Sequence, residues 1–146
     1  MSGQACCILP MQIDHLPALQ ALWRSIPGIG LSSADTVEDL AVFLSRNPTT
    51  CFVAMDHGSL VGSVLGGSDG RRGYVYHLAV VERARQQGLG KALLAQALQG
   101  FRALGIQKAH LFVFGSNGLA ISFYQSQGWQ LREDIAVMSK ALDSTL

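Results

Sequence analysis

The chain is short of charge. Of its 146 residues only 14% are Asp, Glu, Lys or Arg, against about 25% in an average soluble domain. The two signs nearly cancel, 11 basic against 10 acidic, for a net charge of +1. No broad basic field is therefore available to hold a nucleic acid backbone or an anionic membrane, and neither is expected as a partner. An apolar share of 49% excludes a disordered chain. Proline is scarce at 4, whereas glycine reaches 16, a balance that favours turns, bulges and close backbone approach. Cysteine is limited to 3, and Cys6 and Cys7 are adjacent, which argues against a bond between them; reduced thiols and a cytoplasmic location are expected. No apolar run approaches the roughly 18 residues of a membrane span. The longest, Tyr74 to Val81, has strand length and contains His77. Near the N-terminus there is no basic segment, and Asp14 and His15 interrupt the apolar residues, so no signal peptide is expected. The length suits one domain over residues 1–146, without repeats or linkers.

Periodicity orders the elements. Residues 4–9 read as a strand. Asp14 is placed to cap a helix whose Leu16, Leu19, Leu22, Trp23 and Ile26 share one face, ended by Pro27 to Gly30. Thr36 and Asp39 resemble a capping box ahead of Val37, Leu40, Phe43 and Leu44, and Asn47-Pro48 stops that second helix. Strands over Thr50–Asp56 and Ser59–Gly66 meet at His57-Gly58, a hairpin signal. A polar loop from Gly67 to Gly73 leads to a strand at Tyr74–Val81. A helix from Gly88 to Leu104 follows, with Gly105 as its C-cap. His110–Phe114 reads as a strand, Asn117 opens a helix that Gly128 ends, and Trp129–Lys140 reads as one or two closing strands. The order βααβββαβαβ predicts an α/β sheet covered by helices on both sides.

The segment from Val80 to Ala92 carries the chemistry. It joins a strand to a helix start, where unpaired N–H groups and the helix dipole favour phosphate. Gly88 and Gly90 keep side chains out of the approach. A Walker A loop would need Gly at Arg85 and Ser or Thr at Ala92, and a G-x-G-x-x-G repeat would need Gly at Leu93 or, from Gly28, at Ser33. The spacing Arg85-x-x-Gly88-x-Gly90 instead resembles the pyrophosphate loop of the GNAT superfamily of N-acetyltransferases. The resemblance extends from Tyr74 to Trp129 through His77-Leu78-Ala79-Val80, Leu111 to Phe114, Asn117, Ala120, Phe123-Tyr124 and Gly128-Trp129.

That resemblance implies a mixed, mostly antiparallel central sheet and an acetyl-CoA-dependent enzyme that needs no metal. It implies coenzyme binding by Arg85, Gln86, Gln87, Gly88, Leu89, Gly90 and Lys91 at the pyrophosphate. Backbone of Leu78, Ala79 and Val80 and the side chain of Asn117 would meet the pantetheine arm. The Val80 N–H would polarise the thioester carbonyl, and Tyr124 would protonate the leaving thiolate, as a phenol with pKa near 10 can. Many relatives are dimers, so a homodimer is open.

The general base is not legible. Strand alternation puts Tyr74, Tyr76, Leu78 and Val80 on one face and Val75, His77 and Ala79 on the other, so His77 is expected to face away from the site. Family members carry Glu or His at Tyr74 or Tyr76, or Glu at Phe112, and this chain has none of these acids. Tyr76 is the candidate on that face, with pocket wall or core as the plain reading of both Tyr74 and Tyr76. Water relayed to the surface and an acceptor amine of lower pKa that deprotonates readily are the alternatives. The acceptor, a small amine or a protein or peptide amine, would meet Trp23, Ile29, Asp69 and Tyr74. Plain alternatives stand beside these roles: Tyr124 as a core aromatic, Asn117 as an N-cap, Trp23 as packing, Asp69 as a solvated loop residue. A non-catalytic acyl-CoA-binding module of the same fold is the alternative function.

Overall fold

The structure is a computed structural model and describes residues 6–143. Residues 4 and 5 of the first expected strand lie outside that range. The chain forms two compact units, one ending at Leu111 and the other beginning at Phe112.

The first unit is built on a five-stranded sheet in the order β1-β2-β3-β4-β5. β1 (Cys6–Pro10), β2 (Phe52–Asp56), β3 (Ser59–Ser68) and β4 (Gly73–Val80) pair antiparallel, and β5 (Ala109–Leu111) joins β4 parallel. The β2–β3 hairpin turns on His57 and Gly58, both at positive φ (50° and 83°), as a two-residue turn matching strand twist requires. At the β3–β4 turn the Asp69 carboxylate accepts the N–H groups of Arg71 and Arg72, at 2.8 and 2.9 Å.

Helices cover both faces of this sheet. On one face α1 (Leu16–Arg24) and α2 (Val37–Arg46) bury Leu16, Leu19, Leu22, Trp23, Leu40 and Leu44 against Val53, Leu65 and Ala79. On the other, α3 (Leu89–Ala103) buries Leu93, Leu94, Ala97 and Phe101. The glycines of β3 and β4 let α3 approach. A Cβ on Gly66 would lie 2.5 Å from the Thr50 carbonyl oxygen and 3.0 Å from the Phe101 ring, and one on Gly73 would lie 2.8 Å from that ring. Gly66→Ala is therefore expected to destabilise the fold by about 1–3 kcal/mol. Urea unfolding reads this as a lower midpoint at unchanged slope.

Local details correct the expectations. Asp14 does not cap α1. It sits in a short 3-10 turn, Ile13–His15, closed by the Gln12 N–H donating to His15 Nδ1 at 2.9 Å. α2 is capped as expected, with the Asp39 N–H on Thr36 Oγ1 at 3.1 Å. β5 is shorter than expected because Phe112 to Phe114 find no strand to pair with among the described residues. The alternation expected along β4 also breaks. Ser63 pairs with Ala79 but Leu65 with Tyr76, so β4 holds an extra residue and His77 takes a positive φ of 49°. Such a bulge turns the following side chains over. His77 consequently lies on the α1/α2 face, packed on Trp23, together with Tyr76, which meets Phe43 of α2.

The second unit holds α4 (Gly118–Ser126), capped by Asn117, whose Oδ1 accepts the Ala120 N–H at 3.1 Å. At its end Gly128 has φ 91°, the Gly128 N–H bonds the Gln125 carbonyl and the Trp129 N–H bonds the Tyr124 carbonyl. These two bonds make a Schellman cap. The closing strands expected over Trp129–Lys140 do not form. The sequence has an apolar share suited to a strand, but a strand needs a paired neighbour, and residues 129–143 pair with none among the described residues.

Candidate active site

The β4 end offers free backbone. The Val81 N–H donates to the Val61 carbonyl at 2.9 Å, so the adjacent Gly62–Val80 pair is of the non-bonded kind, and the Val80 N–H and carbonyl point away from β3. Within the first unit β5 reaches only Gly73 to Val75, leaving Tyr76 to Val80 without a strand on that side. The Val80 carbonyl is taken by the Arg85 side chain, whose Nε donates at 2.9 Å. This bond ties the strand end to the turn that follows.

That turn runs through a short 3-10 segment, Glu82–Ala84, into α3. Gln86 and Gly88 have positive φ, 64° and 78°. At Gly88 the backbone angle, rather than space, requires glycine: a Cβ there would meet nothing within 4 Å. Gly88 is also the N-cap, with no capping side chain and no acid in the first turn. The first intrahelical bond is Ala92 N–H to the Gly88 carbonyl, so the Leu89, Gly90 and Lys91 N–H groups have no helical acceptor. Gln86, Gln87, Gly88 and Lys91 are exposed. The turn thus has the form an anion needs: outward N–H groups, a helix dipole and no competing carboxylate.

On the α1/α2 face a polar network runs through the apolar core. Trp23, 1% exposed, donates from Nε1 to Ser63 Oγ at 2.9 Å. Ser63 in turn donates to the His77 carbonyl at 2.7 Å, which satisfies a group the bulge removes from regular pairing. His77 Nε2 lies 2.9 Å from Asp35 Oδ1, with both side chains largely buried, at 15% and 12% exposure. The other Asp35 oxygen accepts the Ser32 N–H at 2.9 Å, and Gln20 donates to the Asp35 carbonyl. Asp35 was not identified from sequence. The spacing Ser32-x-x-Asp35 is a capping-box signal, but its link to His77, 42 residues on, depends on the fold. Beside it a cavity of about 260 Å³ is lined by Gln20, Arg24, Leu31, Ser32, Asp35 and Thr36.

The expected acceptor residues separate. Trp23 lies wholly inside, and Ile29 packs on the same core. Tyr74 and Tyr76 share the α1/α2 face, and Tyr74 stacks near His110 at 5.8 Å. Burial, then the neighbouring Tyr74, pushes the Tyr76 phenol above its ordinary value, so it keeps its proton at neutral pH and is no ready base. Asp69 is not brought to this group. It lies past the Ser68–Gly73 pair, and Ser68 is five residues along β3 from Ser63, or about 16 Å at the usual strand rise. The backbone N–H groups of Arg72 and Arg71 hold its carboxyl below the ordinary range.

In the second unit Tyr124 is partly buried between Phe123 and Trp129, with ring centroids 5.2 and 5.8 Å away. Burial pushes its phenol up to about 12. Asn117 uses its oxygen for the cap and keeps its amide N–H groups. Among the described residues no three His, Cys, Asp or Glu side chains group to hold a metal, and no helix is long and apolar enough to cross a membrane.

Comparison with known proteins agrees with this fold. An acetyltransferase of Sodalis glossinidius is 32% identical over 108 residues, which is 74% of this chain and 76% of that protein. Among solved structures, Ard1 from Thermoplasma volcanium has a TM-score of 0.77 at 23% identity, covering 88% of this chain and 84% of that one. An aminoglycoside N-acetyltransferase solved with CoA has the same TM-score at 19% identity, covering 92% and 94%. The acetyltransferase (GNAT) family model matches residues 16–129. That span contains the open β4 edge, the uncapped glycine turn, and Asn117 and Tyr124, and with them the chain belongs to the acetyltransferase (GNAT) family.

Proposed function

We propose that the chain moves the acetyl group of acetyl-CoA to a primary amine by direct attack, working as a single acetyltransferase domain. One observation carries this reading: an uncapped, acid-free helix start opened by Gly88 adjoins a strand end whose Val80 N–H points away from its sheet neighbour. Backbone N–H groups from Gln86 to Lys91 hold the pyrophosphate, with Arg85 beside them. Leu78 to Val80 pair with the pantetheine arm, and the Asn117 amide adds a donor. The Val80 N–H stabilises the oxyanion, where a fixed donor does more than water. Tyr74, Tyr76 and Ile29, backed by Trp23, shape the acceptor side. Tyr124 hydrogen-bonds the departing sulfur. A phenol near 12 is a weak acid against a thiol of ordinary pKa about 8.5, so its contribution is a hydrogen bond to developing charge rather than an early proton transfer.

The three cysteines carry no disulfide, which supports a reducing compartment, the cytoplasm. Exposed Phe112, Phe114, Leu119, Val137 and Met138 support a homodimer by giving a second copy an apolar surface to cover. The acceptor class is a small amine or a protein or peptide amine. Release of free thiol from acetyl-CoA across a panel of such amines tests the enzyme. Coenzyme binding with no thiol release from any amine supports the acyl-CoA-binding module instead, which the lack of an acid at Tyr74, Tyr76 and Phe112 favours. Tyr124→Phe is expected to lower kcat about tenfold to hundredfold with coenzyme affinity unchanged. An unaltered kcat removes Tyr124 from the chemistry.

A further inference from the structure

We infer that His77, oriented by Asp35, is the group that takes the proton from the acceptor amine. The inference rests on the acetyl-transfer reading and supplies the base that reading lacks. Three observations support it. The β4 bulge turns His77 onto the face that carries Tyr76 and the α1/α2 elements. Asp35 engages one ring nitrogen, Nε2, at 2.9 Å, and a carboxylate there fixes a proton on Nε2 and leaves the lone pair on Nδ1. No buried side-chain nitrogen or oxygen among the described residues lacks a partner. His77 Nδ1 has no hydrogen-bond partner among the described residues, so it is not one of the fully enclosed atoms.

The surroundings are built to hold the ring still. Trp23 packs on it at 4.7 Å, Ser63 holds its carbonyl, and Ser32 and Gln20 hold Asp35. Asp35, from the 3-10 turn before α2, is the charged side chain in contact with the ring. Trp23 from α1, Ser63 from β3 and Tyr76 from β4 are neutral, and Arg24 of α1 lines the cavity that Asp35 also lines. Of the two protons the ammonium nitrogen must lose, the first goes to Nδ1 and later to water. The freed lone pair forms the C–N bond, the C–S bond breaks, and the second proton ends on the sulfur.

The test uses the whole protein with His77→Asn, chosen because Asn tolerates positive φ, and the near-isosteric Asp35→Asn. The probe acceptor is a peptide whose one amine is its N-terminal α-amine. Acetyl-CoA should stabilise all three proteins equally. His77→Asn should cut kcat/KM about 100-fold at pH 7. That deficit should shrink towards pH 9, because an α-amine of pKa about 8 then loses its proton unaided. Asp35→Asn should lower kcat/KM at pH 7 by less than His77→Asn does, and should mix the two neutral ring tautomers in nitrogen-15 spectra, since it removes the carboxylate that holds the proton on Nε2. Nitrogen-15 spectra of the free protein should show the neutral ring protonated at Nε2, a readout independent of the acceptor. A proton on Nδ1, no rate loss, or the same loss at every pH overturns the inference. Failure of acetyl-CoA to stabilise the wild type overturns the acetyl-transfer reading instead.

Discussion

Gly88→Glu is expected to abolish the stabilisation that acetyl-CoA gives the wild type. A ligand at a hundred times its Kd adds about 2.7 kcal/mol to a folded state that alone binds it. In a chain of this size that is a rise of roughly 5–10 °C in Tm. The Glu side chain acts twice. It places a β-carbon on a residue at φ 78°, and it sets a carboxylate among the N–H groups that would hold pyrophosphate. Gly88→Asn separates the effects, because Asn tolerates the left-handed region and carries no charge. The Asn variant should keep part of the shift and the Glu variant none. A full shift in the Glu variant would show that pyrophosphate binds elsewhere.

Trp23→Ala is expected to have the largest effect on folding itself. Trp23 is 1% exposed and lies within the cluster formed by α1, α2 and the sheet. Truncating a buried aromatic of this size costs about 3–5 kcal/mol, a large part of the 5–15 kcal/mol that holds a typical domain together. Trp23→Phe removes the N–H but most of the volume stays. Ser63 keeps its bond to the His77 carbonyl, so the loss there should fall to about 1 kcal/mol. Equilibrium unfolding of both variants checks the pair. If Trp23→Phe costs as much as Trp23→Ala, the Ser63 hydrogen bond, and not the packed ring, dominates at this position.

What the sequence showed and what it hid divides along the range of the interactions. The glycine turn was legible because its cause is local: Gly88 and Gly90 stand next to the helix they open. The His57-Gly58 hairpin and the caps at Gly105 and Gly128 were legible for the same reason. The orientation of His77 was not. Alternation assumes a regular strand, and the bulge that breaks it comes from pairing with β3, where the Ser63 hydroxyl, itself held by the Trp23 N–H, takes over the His77 carbonyl. Asp35 was hidden because its partner is distant in sequence. The closing strands failed because side-chain pattern does not supply a backbone partner. Of the site as proposed, the coenzyme half could be read from residues 78–91, whereas the acceptor half depends on contacts between β4 and a turn 42 positions earlier.

The bare start of α3 has a consequence for the ligand-free protein. Most helices satisfy their first N–H groups with a side chain from the chain itself, and losing that cap costs about 1 kcal/mol. Here the chain supplies none, so the first turn of α3 is left less secure than the rest of the helix until an external anion completes it. If the coenzyme binds there as proposed, its capture and the final ordering of that turn would be a single event. On the proposed assignment the phosphates would act as a removable part of the helix, and the amides of Leu89, Gly90 and Lys91 would exchange with solvent fastest in α3 when that part is missing.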